Sequence, residues 1–262
     1  MKLLIVALAR PSRLGIRRWL PGAGAAVREL VLPPRCAACD CDFTPEPGGP
    51  LLCGLCLRQM PRFSGAVCTR CLAPVPTAGG QTLPCSWCGQ WQPKFARALA
   101  AGPYEGLLRQ MLLRNKADST GVVARALVDL AWQRCGEQLA DWGVDVVAAP
   151  PMHWRRRWQR GVNAQAELAE AVARRLGVPA APTMLRLRRE VAPQHGLSRP
   201  GRLRNIHGEM RLARGHRLDA AHVLVVDDIL TSGATCSEAA RVLLAAGARE
   251  ASVLVIARTS PG

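Results

Sequence analysis

Four apolar residues in succession, Val223-Leu224-Val225-Val226, are followed by two acids, Asp227 and Asp228, and then by the small-residue run Thr231-Ser232-Gly233-Ala234-Thr235. So short and β-branched a stretch reads as a strand buried on both faces, and the alanine- and leucine-rich period after it as a helix from Ala234 to Ala246 closed by Gly247. Further strands are predicted over Ser252 to Ala257 and over Val144 to Ala149, the latter as the first strand of the sheet, ending in Pro150-Pro151-Met152-His153. Asn163 is a natural N-cap for a helix running to Leu176 and stopped by Gly177. Strands alternating with helices predict an α/β fold with a doubly wound parallel sheet. Such sheets bind ligands at the carboxyl ends of their strands.

The amino-terminal third has a different pattern. Cys36-x2-Cys39, Cys53-x2-Cys56, Cys68-x2-Cys71 and Cys85-x2-Cys88 are four knuckles, and a shift of 32 residues carries the first two onto the last two. Two tandem copies of C-x2-C-x13-C-x2-C supply two sets of four thiolates, the ligand count of a closed structural zinc site. A cross-braced pairing of alternate knuckles is the competing arrangement. Cys41 stands outside the pattern as a spare thiol able to compete with Cys39, and Cys135 and Cys236 read as small buried residues.

These patterns divide the chain into a leader over residues 1–32, poorly ordered or helical, a double zinc ribbon over 33–92 and the α/β domain over 93–262. After Trp91 the sequence is Ala- and Leu-rich, with helical spacing from Tyr104 to Leu112. Leu3 to Ala9 is too short for a signal and lacks a cleavage site, and no apolar run approaches the ~20 residues of a membrane span. With a thiol pattern typical of reducing compartments, a cytoplasmic protein is expected.

Composition changes this picture in one respect. The chain carries 35 basic and 19 acidic residues, a net +16, and between Arg155 and Arg217 there are fifteen arginines against four acids, Glu167, Glu170, Glu190 and Glu209. That concentration suits a polyanion or a pyrophosphate. It equally suits an arginine-rich solvated face.

The run from Thr231 to Thr235 combines closely spaced N–H groups, hydroxyls, a glycine and a helix amino terminus, which together make a phosphate cradle. Asp227 and Asp228 repel phosphate and suit hydroxyls or a divalent cation. A cradle beside paired acids, without a Walker lysine, fits a sugar phosphate better than a nucleoside triphosphate.

The segment resembles the phosphoribosyl pyrophosphate (PRPP) motif of type I phosphoribosyltransferases, and from about Cys36 to Arg258 the chain is similar to the ComF family, competence protein F-like. The resemblance implies that Asp227 and Asp228 hold the ribose 2′ and 3′ hydroxyls and that Thr231, Ser232, Gly233, Ala234 and Thr235 hold the 5′-phosphate, with Mg2+ accompanying PRPP. It places Pro151 and Met152 on a pyrophosphate loop, with Arg155 and Arg160 neutralising charge, and Lys116 where the family has a lysine after a tyrosine-glycine helix. Gln194, Arg202 and Asn205 fall on a mobile lid spanning Arg186 to Asn205. Arg160-Gly161-Val162-Asn163 departs from the family's R-G-F-N-Q, since Val162 replaces Phe and Gln165 comes one place late. Thr231 occupies the position of the base of purine-salvage members, so no catalytic residue is assigned. Two function classes follow. One is a PRPP-binding phosphoribosyltransferase acting on an unidentified acceptor. The other is a module that binds single-stranded DNA or protein through ribbons and arginines, with Trp87 and Trp91 as stacking candidates. The resemblance also implies a role in natural competence, with other DNA-uptake proteins as partners.

Overall fold

The computed structural model describes residues 34–118, 120–151, 164–189 and 198–260. The leader predicted over 1–32 lies outside the described residues.

The cysteine-rich region consists of two copies of one unit. In the first, a turn at Cys36–Cys41 is followed by helix α1 (Gly54–Gln59). In the second, a turn at Cys68–Ala73 is followed by the hairpin β1 (Thr77–Ala78) and β2 (Gln81–Thr82) and then helix α2 (Ser86–Trp91). Each helix starts immediately after a cysteine, Cys53 or Cys85, so the first turn carries the second thiol of its knuckle inward.

The remainder runs β3 (Ala98–Pro103), α3 (Gly106–Asn115), α4 (Val122–Asp141), β4 (Val146–Ala148), α5 (Ala164–Leu176), β5 (Ala180–Ala181), β6 (Leu185–Leu187), α6 (Arg199–Ile206), β7 (Met210–Leu212), β8 (His222–Leu230), α7 (Ala234–Ala245) and β9 (Glu250–Arg258). Strands β3, β9, β8, β4 and β5 form, in that order, one sheet in which every pairing is parallel. Period-two alternation divides the core. Leu224, Val226, Leu254 and Ile256 pack with Leu108, Leu127, Leu130 and Leu168 of α3, α4 and α5. Val223, Val225, Val253 and Val255 pack with Ala239, Ala240 and Leu243 of α7. Helices therefore cover both faces, the doubly wound arrangement expected of an apolar parallel strand set.

Three expectations need correction. The stretch after Trp91 opens with strand β3 rather than a helix, so Val144–Ala149 is not the first strand of the sheet. Ala98-Leu99-Ala100-Ala101-Gly102-Pro103 has no β-branched residue, and its extended state is set by pairing with β9. Gly102 is a packing requirement, because a Cβ there would meet the Pro61 carbonyl oxygen at 2.6 Å. Strand β8 also runs beyond Val226, so both acids lie within the strand, where Asp227 pairs with Val255. Finally, the segment assigned to a mobile lid is partly regular. Arg186 sits in β6, paired with β7, and Arg202 and Asn205 lie on α6. The Ser198 hydroxyl accepts the Gly201 N–H at 3.3 Å and Pro200 occupies the first turn, so this helix has its own start signal.

The ribbon units share the core of the α/β unit. Cys36, Leu52, Cys56 and Met60 belong to the cluster of Leu108, Met111 and Leu112, and Leu72 and Phe95 to that of Val223 and Val225. Thermal unfolding of the metal-loaded protein is therefore expected as one transition, and chelation should lower its midpoint by roughly 10 °C or more, as loss of a structural ion implies. A calorimetric trace with a separate ribbon transition would contradict this.

Candidate functional site

The site begins where β8 leaves the core. Asp227 is 9% exposed and Asp228 is half-buried. The Asp228 N–H donates to Asp227 Oδ1 at 2.9 Å, and the Cys236 thiol lies 3.9 Å from Asp227 Oδ2. Burial pushes the Asp227 carboxyl well above the usual range, and the adjacent Asp228 charge adds to the rise. Adjacent carboxyl groups, one buried and one half-buried, with so few donors suit a divalent cation, which brings positive charge, or sugar hydroxyls, which bring hydrogen-bond donors.

Beyond Leu230 the chain turns into α7. Gly233 takes φ +75° at the N-cap, a left-handed conformation that favours glycine, and its carbonyl accepts the Ser237 N–H at 2.9 Å. Ser232 is buried, and its hydroxyl accepts the Ala234 N–H at 3.3 Å. The N–H groups of Ser232 and Gly233 have no acceptor among the described residues. Two amides without an acceptor at the positive end of a 12-residue helix are an arrangement suited to an anion, with Thr231 and Thr235 half-buried beside them.

The second ribbon forms one wall of this turn. The Trp91 indole at the end of α2 packs so closely on Gly233 that any Cβ there would collide with it, and it meets Phe95 edge-on at 6.1 Å. Arg258, 5% exposed at the end of β9, gives its Nε hydrogen to the Cys71 carbonyl at 2.9 Å. Its Nη1 donates to the carbonyls of Leu230 at 2.9 Å and Thr231 at 2.6 Å. One guanidinium thus ties a cysteine knuckle to the turn that leads into α7. Trp91 follows Cys88 by three residues, and an arginine closing an apolar strand is unusual, so both signals were present in the chain, but neither spacing reveals the contact.

A cleft of about 430 Å3 opens on the flank of the turn, between Trp91, Lys94, Leu203, His207, Ala234 and Glu238. Glu238 is buried and accepts the Gly208 N–H at 2.9 Å and both Arg241 donors at 2.8 and 2.7 Å. This cleft borders the turn at Ala234 without reaching the acids.

Other expected residues fall unevenly. Half-buried Pro151 follows β4, the neighbour of β8, and so leaves the sheet at the same edge as the acids. Lys116 caps the carboxyl end of α3 and makes no hydrogen bond or ion pair with either acid among the described residues. Arg202 and Asn205 lie on α6, which packs on α7, and the Arg202 Nε is buried without a partner among the described residues, as is Gln165 Oε1. Met152, His153, Arg155, Arg160, Asn163 and Gln194 lie outside the described residues.

The eight patterned cysteines gather by repeat. Cys36, Cys39, Cys53 and Cys56 form one cluster and Cys68, Cys71, Cys85 and Cys88 the other, with all sulfurs of a cluster within 4.8 Å. Cross-bracing is thereby excluded. Sulfur separations of 3.8 Å for Cys39–Cys53, 3.7 Å for Cys68–Cys88 and 3.6 Å for Cys71–Cys85 match the about 3.8 Å edge of a tetrahedron with 2.3 Å zinc–sulfur bonds. Four thiolates leave no open position, so these sites suit structure rather than catalysis. Cys135 and Cys236 are buried, as expected.

No protein-family model matches the chain. The DNA utilization protein YhgH of Salmonella typhi is 30% identical over 233 residues, 88% of this chain and 99% of that protein. Its Escherichia coli K12 counterpart is 31% identical over 215 residues, 79% of this chain and 90% of that one. Competence protein F of Haemophilus influenzae is 24% identical over 211 residues, with the same coverage of 79% and 90%. Among solved structures, glutamine PRPP amidotransferase from B. subtilis matches with a TM-score of 0.36 and 22% identity, over 56% of this chain and 30% of that one. The purine phosphoribosyltransferase of Pyrococcus horikoshii gives 0.33 and 19%, over 52% and 85%.

Two predictions follow from this geometry. An unfolded aspartate titrates near about 3.9. Because folding raises the Asp227 pKa, the folded chain keeps a proton that the unfolded chain loses, and stability falls as pH climbs from there through the raised value. Asp227→Asn should stabilise the ligand-free protein by about 1–2 kcal/mol at pH 7 and flatten that slope, as read by denaturant titration. An unchanged slope would show that Asp227 is not held protonated. Arg258→Met strands buried carbonyls and should cost about 3 kcal/mol or more. Hydrogen exchange in the 230–236 segment should rise with it, and an unaltered rate would mean the guanidinium does not hold the turn.

Proposed function

The chain belongs to the ComF family, that of DNA utilization protein YhgH and competence protein F, and on that premise we propose that its α/β domain binds PRPP as a phosphoribosyltransferase-like site. One observation carries the reading: paired acids on β8 run directly into the open amides at the start of α7. That order matches the two ends of a ribose 5-phosphate. Asp227 and Asp228 take the 2′ and 3′ hydroxyls, and Thr231, Ser232, Gly233, Ala234 and Thr235 take the 5′-phosphate. Pro151 and Met152, with Arg155 and Arg160, hold the pyrophosphate, and Lys116, Gln194, Arg202 and Asn205 are further PRPP contacts. Asp227 and Asp228 are the residues that would hold Mg2+, which would neutralise negative charge on bound PRPP. The residues themselves orient the anomeric carbon and screen a developing oxocarbenium-like charge, so departure of pyrophosphate is assisted by charge clamps rather than by a side-chain acid. The two four-cysteine clusters would each hold a zinc ion, which would fix the ribbon around it.

A second reading is favoured by the arginine-dense segment from Arg155 to Arg217 and the net +16. In it the PRPP site is retained for binding alone, and single-stranded DNA or a protein of DNA uptake is held by arginines and the ribbons, in keeping with the relatives' names. The cytoplasm is the compartment both readings require. Among the described residues no helix is long and apolar enough to cross a membrane.

Titration calorimetry with Mg2+ and PRPP, followed by a pyrophosphate-release assay over candidate acceptors, tests both readings. Asp228→Ala is expected to weaken PRPP binding at least tenfold while leaving nucleic-acid retention unchanged. An absence of PRPP binding by the zinc-loaded protein removes the first reading. Retention of DNA that is insensitive to salt removes the second.

A further inference from the structure

The two ribbon units can be compared position by position, because each residue of the first has its counterpart 32 places on. The Cys36 N–H donates to the Cys41 carbonyl at 2.9 Å, and the Cys68 N–H donates to the Ala73 carbonyl at 2.8 Å. The Asp40 N–H returns to Cys36 as the Leu72 N–H returns to Cys68, at 2.9 and 2.8 Å. Asp40 and Leu72 turn the chain with nearly the same left-handed φ, 59° and 60°. Bridges Arg35–Asp42 and Val67–Pro74 close both turns. The backbones agree at every one of these points, and the side chain that follows the turn does not. Where the second unit has buried Ala73, the first has exposed Cys41.

The shared turn aims that extra thiol back at the metal cluster. Cys41 Sγ lies 3.4 Å from Cys39 Sγ, nearer than Cys39 Sγ is to Cys53 Sγ at 3.8 Å. A tetrahedral ion takes four sulfurs, which Cys36, Cys39, Cys53 and Cys56 supply, and Cys41 brings a fifth against Cys39 at the exposed side of that set. The two competing sulfurs, Cys39 and Cys41, are also the exposed ones, whereas Cys36, Cys53 and Cys56 are buried.

We propose that the first ribbon is a zinc site with an exchangeable fourth ligand, in which Cys36, Cys53 and Cys56 are fixed and Cys39 and Cys41 alternate. In the exchange the Cys41–zinc bond forms as the Cys39–zinc bond breaks, and the proton released by the incoming thiol passes to the departing sulfur. The charge of the site does not change. Cys39, the ligand most open to solvent, can then be alkylated or oxidised without loss of the ion, because Cys41 takes its place. The second ribbon, which braces the anion turn, has alanine at that position and no such substitute.

Zinc content of the purified full-length chain tests this. Cys39→Ser is expected to keep two zinc ions per chain, as is Cys41→Ser, while Cys39→Ser/Cys41→Ser falls to one. A single zinc in Cys39→Ser, or two in the double variant, overturns the proposal. Should Cys39→Ser fail to fold, the wild-type protein decides the matter under limiting iodoacetamide with peptide mass spectrometry. The first equivalent of label should divide between Cys39 and Cys41 in different molecules, with zinc still at two per chain. Label confined to Cys41 makes it a bystander and overturns the exchange.

Discussion

A single buried guanidinium carries the mechanical logic of this protein. Arg258 stands at the carboxyl end of β9, where the sheet stops and the backbone carbonyls of Cys71, Leu230 and Thr231 would otherwise lack its donors. Leaving one such carbonyl unpaired costs about 1–3 kcal/mol, and an arginine offers five donors in a rigid plane. By donating to Cys71, Leu230 and Thr231 it makes a cysteine-knuckle carbonyl and the carbonyls of the turn before α7 parts of one hydrogen-bond unit. Trp91 completes the junction from the other side, resting where only a glycine leaves room. The turn that presents open amides is therefore held from outside the α/β unit as well as from within it.

Such support offsets a cost set by the chemistry. Asp227 is buried beside Asp228, and the desolvation and repulsion that raise its pKa also weaken the fold. The strand does not end before these acids but carries them through its pairing with β9, which fixes their positions while leaving them few hydrogen-bond donors.

Duplication gave the two ribbons the same turns and the same four-thiolate geometry, but they dock on opposite faces of the sheet. The first joins the cluster under α3 and α4, where Arg114 donates to the Ala38 carbonyl at 2.5 Å and Arg134 to that of Pro61 at 2.6 Å. The second joins the cluster under α7, where Arg70 donates to the Phe95 carbonyl at 3.0 Å and the Lys94 N–H to the Ser237 hydroxyl at 3.0 Å. The ribbon carbonyls of Ala38, Pro61 and Cys71 are each met by an arginine. That use of arginine is part of what the high basic count serves, apart from any anionic partner.

The chain itself determined the parts whose signal is local. Thiol spacing depends only on the reach of a C-x2-C turn, so the two metal clusters were legible, as were the β-branched run of β8, the glycine that opens α7 and the acids between them. Tertiary structure decided whatever depends on a distant partner. Ala98 to Pro103 is a strand only because β9 pairs with it, and Arg202 and Asn205 sit on a helix against α7 rather than on an open lid. No local rule announces that Trp91 rests on Gly233 or that Arg258 reaches Cys71, 187 residues away in sequence. Periodicity and spacing record what neighbouring residues impose on one another. Contacts made across the sheet depend on how buried polar groups find partners once the layers have closed.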